Sequence, residues 1–206
     1  MIKYLKLSAL AMMLAFCQTS AYSQAVGFKA GINTSLSTID APATSLSGNI
    51  GYVLGLFAES PVGASAISFR PGVYLNFEKY DLSVLDTEAG SGNLTTLKLP
   101  LSFVYSLSDT GEGLAFEAGP VINWILNAEI ENQRLITNNF DFGLDLGANY
   151  FVTPNFGLGG NFYTGFSNLL SGPSATGLLF VNESQAGDFE VKMKNMAANL
   201  TLIYRW

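Results

Sequence analysis

From about residue 26 onward, apolar and polar residues alternate with a period of two, and clusters of turn-forming residues interrupt the alternation. A period of two is typical of β-strands, because successive side chains of a strand point to opposite faces of the sheet. Eight segments carry the pattern, and no convincing amphipathic helix separates them. The predicted strands cover residues 26–36, 49–59, 67–80, 94–107, 114–130, 140–152, 156–166 and 191–206. The sequence therefore predicts an all-β protein.

Charged residues are divided unequally between the two faces of these strands. The apolar face carries one charge, Lys79, at a strand end, whereas the opposite face carries ten. A charge that faces lipid costs about 2–4 kcal/mol at the membrane midplane, so this division is typical of a barrel with a lipid-facing apolar wall and a polar interior. The predicted inward charges are Lys29, Glu59, Arg70, Glu78, Lys98, Glu117, Glu129, Asp141, Asp145 and Arg205.

The predicted connections alternate between short and long. The turns over residues 60–66, 108–113 and 153–155 are shorter than the connections over residues 37–48, 81–93, 131–139 and 167–190. Bacterial outer-membrane barrels have short periplasmic turns and longer outer loops. We therefore expect an eight-stranded antiparallel transmembrane β-barrel, surrounded by outer-membrane lipid. Tyr204 and Trp206 then lie at the periplasmic interface and resemble the terminal signal that barrel-insertion machinery reads.

The first 23 residues have the features of a secretory signal peptide. Lys3 and Lys6 precede a short apolar run over residues 7–16, and Ala21-Tyr22-Ser23 forms a small-x-small cleavage site. We expect cleavage between Ser23 and Gln24, which leaves residues 24–206 as the barrel domain. The single cysteine, Cys17, is then removed with the signal, so the mature chain forms no disulfide.

The composition excludes several classes of function. Apolar residues make up 49% of the chain and charged residues 13%, against about 25% charged residues in an ordinary soluble domain. The chain contains no histidine, which excludes His-based catalytic triads and His metal sites. A net charge of −6 argues against nucleic acid as a partner, because phosphate binding needs clustered Lys and Arg. We predict no catalytic residue, no metal and no cofactor.

Two kinds of irregularity are expected in the strands. Pro71, Pro100 and Pro120 lie inside predicted strands, where each removes one hydrogen bond from the ladder, so we expect irregular pairing there. The alternation also changes near Lys194-Asn195, which predicts a register slip at a bulge.

Several motifs resemble the PorT-like outer-membrane β-barrel family, and the resemblance covers essentially the whole mature chain. It implies the barrel fold, an outer-membrane location and, from the named member, an accessory role in protein secretion. Gly72 and Asn161 depart from the pattern, because the family often has an acidic residue and an arginine near these places. The motifs that carry the resemblance are residues 27–33, 69–74, 97–101, 117–120, 141–144 and 163–169.

The inward charges are expected to form two layers of ion pairs that plug the barrel; the alternative is a selective path for ions or protons. Asp141 and Asp145 lie four residues apart on one strand, about 13 Å between their Cα atoms, which is far for a catalytic carboxylate pair that shares one proton, so both are expected to pair with basic residues. The layer nearer the periplasm contains Lys29, Glu59, Arg70, Glu117 and Arg205, and the layer nearer the outer end contains Glu78, Lys98, Glu129 and Asp141.

Three functions fit these patterns. The first is a non-enzymatic structural or accessory component of the cell envelope, which assists a secretion or assembly complex. The second is a small passive pore, and the third is a soluble, lipocalin-like ligand binder with its apolar face inside. An apolar run over residues 177–181, within the last outer loop, is a candidate contact for an envelope protein partner.

Overall fold

The computed structural model of the chain describes residues 25–40, 44–63, 66–84, 87–130, 133–134, 139–169 and 192–206. Within these ranges, no helix is long and apolar enough to cross a membrane. Three short strands, Thr38–Asp40, Gln133–Arg134 and Lys192–Lys194, accompany eight long ones. The long strands are β1 (Ala25–Ser35), β2 (Thr44–Pro61), β3 (Ile67–Val84), β4 (Thr87–Ser106), β5 (Gly113–Ile130), β6 (Phe140–Phe151), β7 (Phe156–Gly165) and β8 (Met196–Arg205).

The eight strands form a closed antiparallel barrel, which confirms the predicted fold class. Each strand pairs with its neighbour in the chain. The last strand then pairs with the first, from Gly27 opposite Arg205 to Ser35 opposite Ala197. Closure removes the free edges that an open sheet would leave. The predicted signal peptide (residues 1–23) and the apolar run 177–181 lie outside the described residues.

Apolar side chains cover the outside of the barrel, and polar side chains fill the inside. Ile50, Leu56 and Phe142 are 58–65% exposed, whereas Arg70 and Glu78 are 1% exposed. This is the reverse of a soluble barrel, whose apolar residues face inward. The lipocalin-like alternative is therefore wrong.

The three short connections at one end span residues 62–66, 107–112 and 152–155; we call this the turn end, and the opposite one the loop end. The strands differ in length, because β2 to β5 contain 18–20 residues and β6 to β8 contain 10–12. A strand of about 9–11 residues suffices to cross a membrane. One side of the barrel therefore projects as a sheet beyond the loop end.

The sequence predicts long connections over residues 37–48 and 81–93, and this is wrong. In the projecting region much of both ranges forms strand. β3 and β4 stay paired in this region, where Tyr80 lies opposite Gly92 and Val84 lies opposite Thr87. β2 also starts at Thr44. The residues concerned are mostly small and polar, so they lack the apolar alternation that lipid imposes on a strand.

The pairing is interrupted beside each interior proline, as predicted. Between β3 and β4, the described pairs stop at Pro71–Leu101 and resume at Tyr74–Lys98. Between β4 and β5, they stop at Pro100 and resume at Phe103, and Pro120 lies opposite the interruption. The predicted slip at Lys194-Asn195 is wrong, because the register of β1 with β8 continues unchanged into the pairing of Thr38 with Lys194.

A bulge moves one of the ten predicted inward charges to the outside. The register between β4 and β5 shifts between Thr95 and Thr96, which reverses the faces of β5 beyond it. Ala128 is consequently buried, opposite the buried Leu94. Glu129 lies opposite the exposed Asn93, so it belongs to the outer face.

Candidate functional site

Five of the predicted interior charges form one connected network in the half of the barrel near the turn end. The Lys29 Nζ atom lies 2.9 Å from Glu117 Oε2, and Arg70 Nη1 lies 2.8 Å from the same oxygen. Arg70 Nη2 also contacts Glu59 Oε2 at 2.7 Å. The Arg205 Nη1 atom lies 3.4 Å from that Glu59 oxygen. We call these five residues the turn-half network.

The turn-half network crosses the barrel from wall to wall. Its members come from β1, β2, β3, β5 and β8, so the connections are made between distant parts of the chain. Arg70 is the central member, because its guanidinium bridges two carboxylates that belong to different strands. The planar fork of arginine suits such double contacts better than the single ammonium of lysine.

Aromatic rings support the two arginines of the turn-half network. The Arg70 guanidinium lies 4.9 Å from the centre of the Phe57 ring, and that of Arg205 lies 3.9 Å from the centre of the Phe151 ring. Stacking on an aromatic face stabilises a cation that has left water. These contacts place apolar rings and paired charges together across the same section of the barrel.

Arg205 also ties two of the short turns to the barrel. Its Nε atom donates to the carbonyl oxygen of Pro154 at 2.6 Å, and Nη2 donates to the carbonyl oxygen of Gly111 at 2.6 Å. Asn155 donates in turn to the carbonyl oxygen of Arg205 at 2.8 Å. The turns that join β4 to β5 and β6 to β7 are therefore held against the end of β8.

The half near the loop end is arranged differently. Lys98 Nζ lies 3.4 Å from Glu78 Oε1 and 4.3 Å from the centre of the Tyr163 ring. Asp141 accepts hydrogen bonds from the Tyr163 hydroxyl at 2.7 Å and from the Ser167 backbone N–H at 2.9 Å. We call Glu78, Lys98, Asp141, Asp145 and Tyr163 the loop-half cluster.

The predicted pairing of Asp141 and Asp145 with basic residues is wrong. Asp145 instead accepts from the Asn161 side-chain amide, at 2.7 Å and 2.9 Å to its two oxygens. Within the described residues, Lys98 is the single cation of this half, and it is held by Glu78. The predicted second layer of ion pairs is thus one ion pair plus carboxylates that neutral donors hold, and Glu129 is not part of it.

Small residues make room for these side chains. A Cβ atom on Gly165 would collide with the Asp141 carboxylate, and one on Gly55 would collide with the Tyr74 ring. That ring lies 5.9 Å from Lys29 Nζ. The inward glycines therefore let long polar side chains from facing strands reach each other across a narrow barrel.

A cavity of about 30 Å³ lies between the two halves. Asn76 and Asn199 line it and are 1% and 9% exposed, and their Oδ1 atoms have no hydrogen-bond partner. A volume of this size holds about two water molecules. The lining includes Lys29 and Glu117 from the turn-half network, and Lys98 and Asp145 from the loop-half cluster.

The pairing partners that strand alternation does not predict are neutral inward residues. Asn149 donates to Glu117 Oε2 at 2.9 Å, and Tyr163 and Asn161 hold the two aspartates. Their inward positions follow from strand alternation, but alternation does not indicate which carboxylate each one reaches. Among the described residues, no group of three or more His, Cys, Asp or Glu is placed to hold a metal ion.

The chain terminus is built into the barrel at the turn end. Trp206 donates its backbone N–H to the Val26 carbonyl oxygen at 2.9 Å. The Tyr204 ring lies between its neighbours, with its centre 5.8 Å from that of Phe28 and 6.0 Å from that of Trp206. Outward aromatic side chains at a barrel end are typical of the girdles that border a membrane. A role of Tyr204 and Trp206 in insertion stays a prediction.

Two comparisons with known proteins find similarity. The family model described as "outer membrane protein beta-barrel domain" matches residues 16–171. The fold is similar to that of the outer membrane protein OprG from Pseudomonas aeruginosa, with 13% identity, a TM-score of 0.50, and coverage of 89% of this chain and 96% of that chain. It is also similar to Neisserial surface protein A, with 13% identity, a TM-score of 0.49, and coverage of 91% and 99%. No curated protein matches the chain.

Proposed function

Because the chain belongs to the outer membrane protein beta-barrel domain family and is located in the outer membrane, we propose that it is a closed, non-enzymatic component of the cell envelope. The observation that carries this proposal is the turn-half network, which fills the barrel cross-section with paired charges. An eight-stranded barrel has an interior just wide enough for side chains to fill. A solute would have to break buried ion pairs to pass.

A non-enzymatic role is favoured by the chemistry of the interior. The two carboxylates of the turn-half network are each held by two cations, and Asp141 and Asp145 are held by neutral donors. A general base or nucleophile needs access to a substrate. Buried carboxylates engaged in this way are instead suited to filling and rigidifying the barrel.

An accessory role in a secretion or assembly complex extends the proposal. The turn end then faces the periplasm, and the projecting sheet of β2 to β5 stands on the outer side of the membrane. Exposed residues there include Ser45, Ser47 and Ser91, which present a polar surface rather than a lipid-facing one. Such a surface offers a partner protein contacts outside the bilayer. The resemblance to the PorT-like family supports the same role.

The passive pore is the second candidate, and the central cavity is the observation that favours it. Conductance in planar lipid bilayers distinguishes the closed barrel from the passive pore. We expect the purified barrel to give no single-channel conductance, while a sixteen-stranded porin measured in the same bilayers serves as the positive control. A steady conductance of the wild-type barrel would contradict a closed barrel and establish the pore.

Crosslinking in the native envelope tests the accessory role. The tagged protein is crosslinked, the outer membrane is solubilised, and the complexes are separated on a native gel. We expect a discrete complex larger than the barrel alone, which removal of the projecting hairpin (residues 80–92) abolishes while the barrel still inserts. A lone monomer under crosslinking would contradict the accessory role without affecting the closed barrel.

A further inference from the structure

Aromatic side chains are spread around the outer wall of the barrel near the loop end. Tyr52 on β2 lies opposite Phe77 on β3, and both are exposed. Elsewhere on the wall, the rings of Trp124 and Phe140 stack with their centres 5.5 Å apart, and Phe166, directly after β7, is 66% exposed. We call these five residues the loop-end girdle. Aromatic girdles mark the level of the lipid headgroups, so the hydrocarbon part of the membrane ends here.

Lys79 is the first charged residue beyond the loop-end girdle on β3. It lies two residues after Phe77, which is about 7 Å farther along the strand, and its side chain is exposed. Asn49 and Asn93 lie directly opposite it on the two neighbouring strands. Among the described residues, no carboxylate oxygen lies within 4 Å of its ammonium. Lys79 therefore presents a positive charge at the level of the headgroups.

A second lysine lies at a similar level on the same side of the barrel. Lys194 is exposed, on the short strand that precedes β8, and within the described part of the chain no carboxylate oxygen lies within 4 Å of its ammonium. Met196 lies opposite Thr164, so Lys194, two residues away, is level with Phe166 of the loop-end girdle. β1 and β2 separate this strand from β3, which places the strands of the two lysines about 14 Å apart.

The carboxylates on this face of the sheet lie farther from the bilayer than Lys79. Asp81 is two residues beyond Lys79, and the Asn49 Nδ2 atom donates to its Oδ2 atom at 2.6 Å. Glu129 is half-buried and lies two strands away from Lys79, opposite Asn93. A negatively charged group that is held in the membrane therefore meets the lysine before it meets either carboxylate.

We propose that Lys79 and Lys194 bind the phosphates of a phosphorylated glycolipid in the outer leaflet of the membrane. The acyl chains of such a lipid lie against the apolar wall, so its headgroup reaches the loop-end girdle and the polar residues directly above it. The lysine ammonium binds phosphate as a point charge, and the exposed amides of Asn49 and Asn93 can form hydrogen bonds with sugar hydroxyls. The inference rests on the proposed orientation, in which the turn end faces the periplasm.

Native mass spectrometry of the mature barrel in a neutral detergent tests the proposal. The probe is lipid A with two phosphates, and lipid A without phosphates, which has the same sugars and acyl chains, is the comparison. Each lysine near a membrane surface contributes about a fivefold gain in affinity for an anionic lipid. We therefore expect the phosphorylated form to bind about 25-fold more tightly. Equal dissociation constants for the two forms would overturn the proposal.

Substitutions of the exposed lysines locate the binding. Lys79→Gln and Lys194→Gln should each weaken binding of the phosphorylated lipid about fivefold and leave binding of the dephosphorylated lipid unchanged. Lys79→Arg keeps the charge and should retain the affinity. Val62→Glu lowers the net charge by the same one unit at the turn end, where Val62 is 45% exposed, and should have no effect. Wild-type affinity in both glutamine variants, or an equal loss in Val62→Glu, would contradict the site.

Labelling of intact cells tests the orientation separately. Residues 24–206 contain no cysteine, and Ser47 is exposed on the projecting sheet, so Ser47→Cys introduces a single reactive thiol there. We expect a membrane-impermeant maleimide to label it on intact cells. Absence of labelling would overturn the orientation and, with it, this inference. Labelling without selective binding of phosphorylated lipid A would overturn this inference alone, because the closed barrel is tested by conductance.

Discussion

The two halves of the barrel interior stabilise their buried carboxylates in different ways. In the turn-half network, each carboxylate contacts two cations, and Arg70 joins the two groups. In the loop-half cluster, Glu78 is the one carboxylate with a cation within 4 Å among the described residues. Asp141 and Asp145 depend on hydroxyl and amide donors.

Because of this difference in pairing, the turn half is closed and rigid, whereas the loop half can still change its hydrogen bonds. A fully paired network in a low-dielectric interior is rigid, because each member holds its neighbours in place. The loop-half cluster and the adjoining cavity keep polar atoms without partners, including Asn76 Oδ1 and Glu78 Oε2. Unsatisfied buried groups are where water or a ligand can bind. We therefore expect closure to depend on the turn half, and buried water to occupy the centre and the loop half.

The largest effect is expected from Arg70→Ala. The substitution leaves two buried carboxylates without their shared partner, which costs about 3–5 kcal/mol. Urea unfolding in lipid vesicles, followed by the fluorescence of the two tryptophans, measures the change. Lys98→Ala is the matched variant in the loop-half cluster, where one contact at 3.4 Å is lost, and should cost about 1–3 kcal/mol. Equal losses for the two variants would remove the distinction between the halves.

Tyr163→Phe measures how far a neutral donor replaces a cation. It removes the hydroxyl that donates to Asp141 and leaves the carboxylate oxygen unpaired, at a cost of about 1–3 kcal/mol. Tyr150→Phe is the control, because the Tyr150 side chain is on the outer wall and 56% exposed. The same unfolding assay should show almost no change for the control. If Tyr163→Phe left the free energy of unfolding unchanged, Asp141 would not need this donor.

Strand alternation alone predicts much of this interior. It places the five members of the turn-half network on the inward face, and the order of the turns places them near one end of the barrel. The structure locates them there. Glu129 was misplaced because the bulge beside Thr95 and Thr96 shifts the pairing by one residue, and no glycine or proline marks it. Partners such as Tyr163 for Asp141 depend on distances across the barrel, which alternation does not contain.

Adding a positive charge to one half or the other tests whether the two halves differ in charge balance. Asn161→Lys places an ammonium beside Asp145, which has no cation within 4 Å among the described residues, and should stabilise the barrel by about 1 kcal/mol, the gain from a charge-assisted hydrogen bond. Asn149→Lys places one beside Glu117, which already contacts Lys29 and Arg70, and should destabilise it by a similar amount. Both changes are read from urea unfolding. Shifts of the same sign would contradict the charge imbalance.

The smallest change in the free energy of unfolding is expected from Glu129→Ala. This variant tests whether Glu129 belongs to the loop-half cluster. Glu129 lies on the outer face beyond the bulge, half-buried and opposite Asn93. A charge at this position contributes no more than about 1 kcal/mol, as exposed ion pairs do. Glu78→Ala is the inward comparison, since it removes the one carboxylate that contacts Lys98, and should cost about 1–3 kcal/mol, as Lys98→Ala does. A loss for Glu129→Ala as large as that for Glu78→Ala would place Glu129 inside the barrel. It would also show that strand alternation, and not the bulge, decides the face at this point.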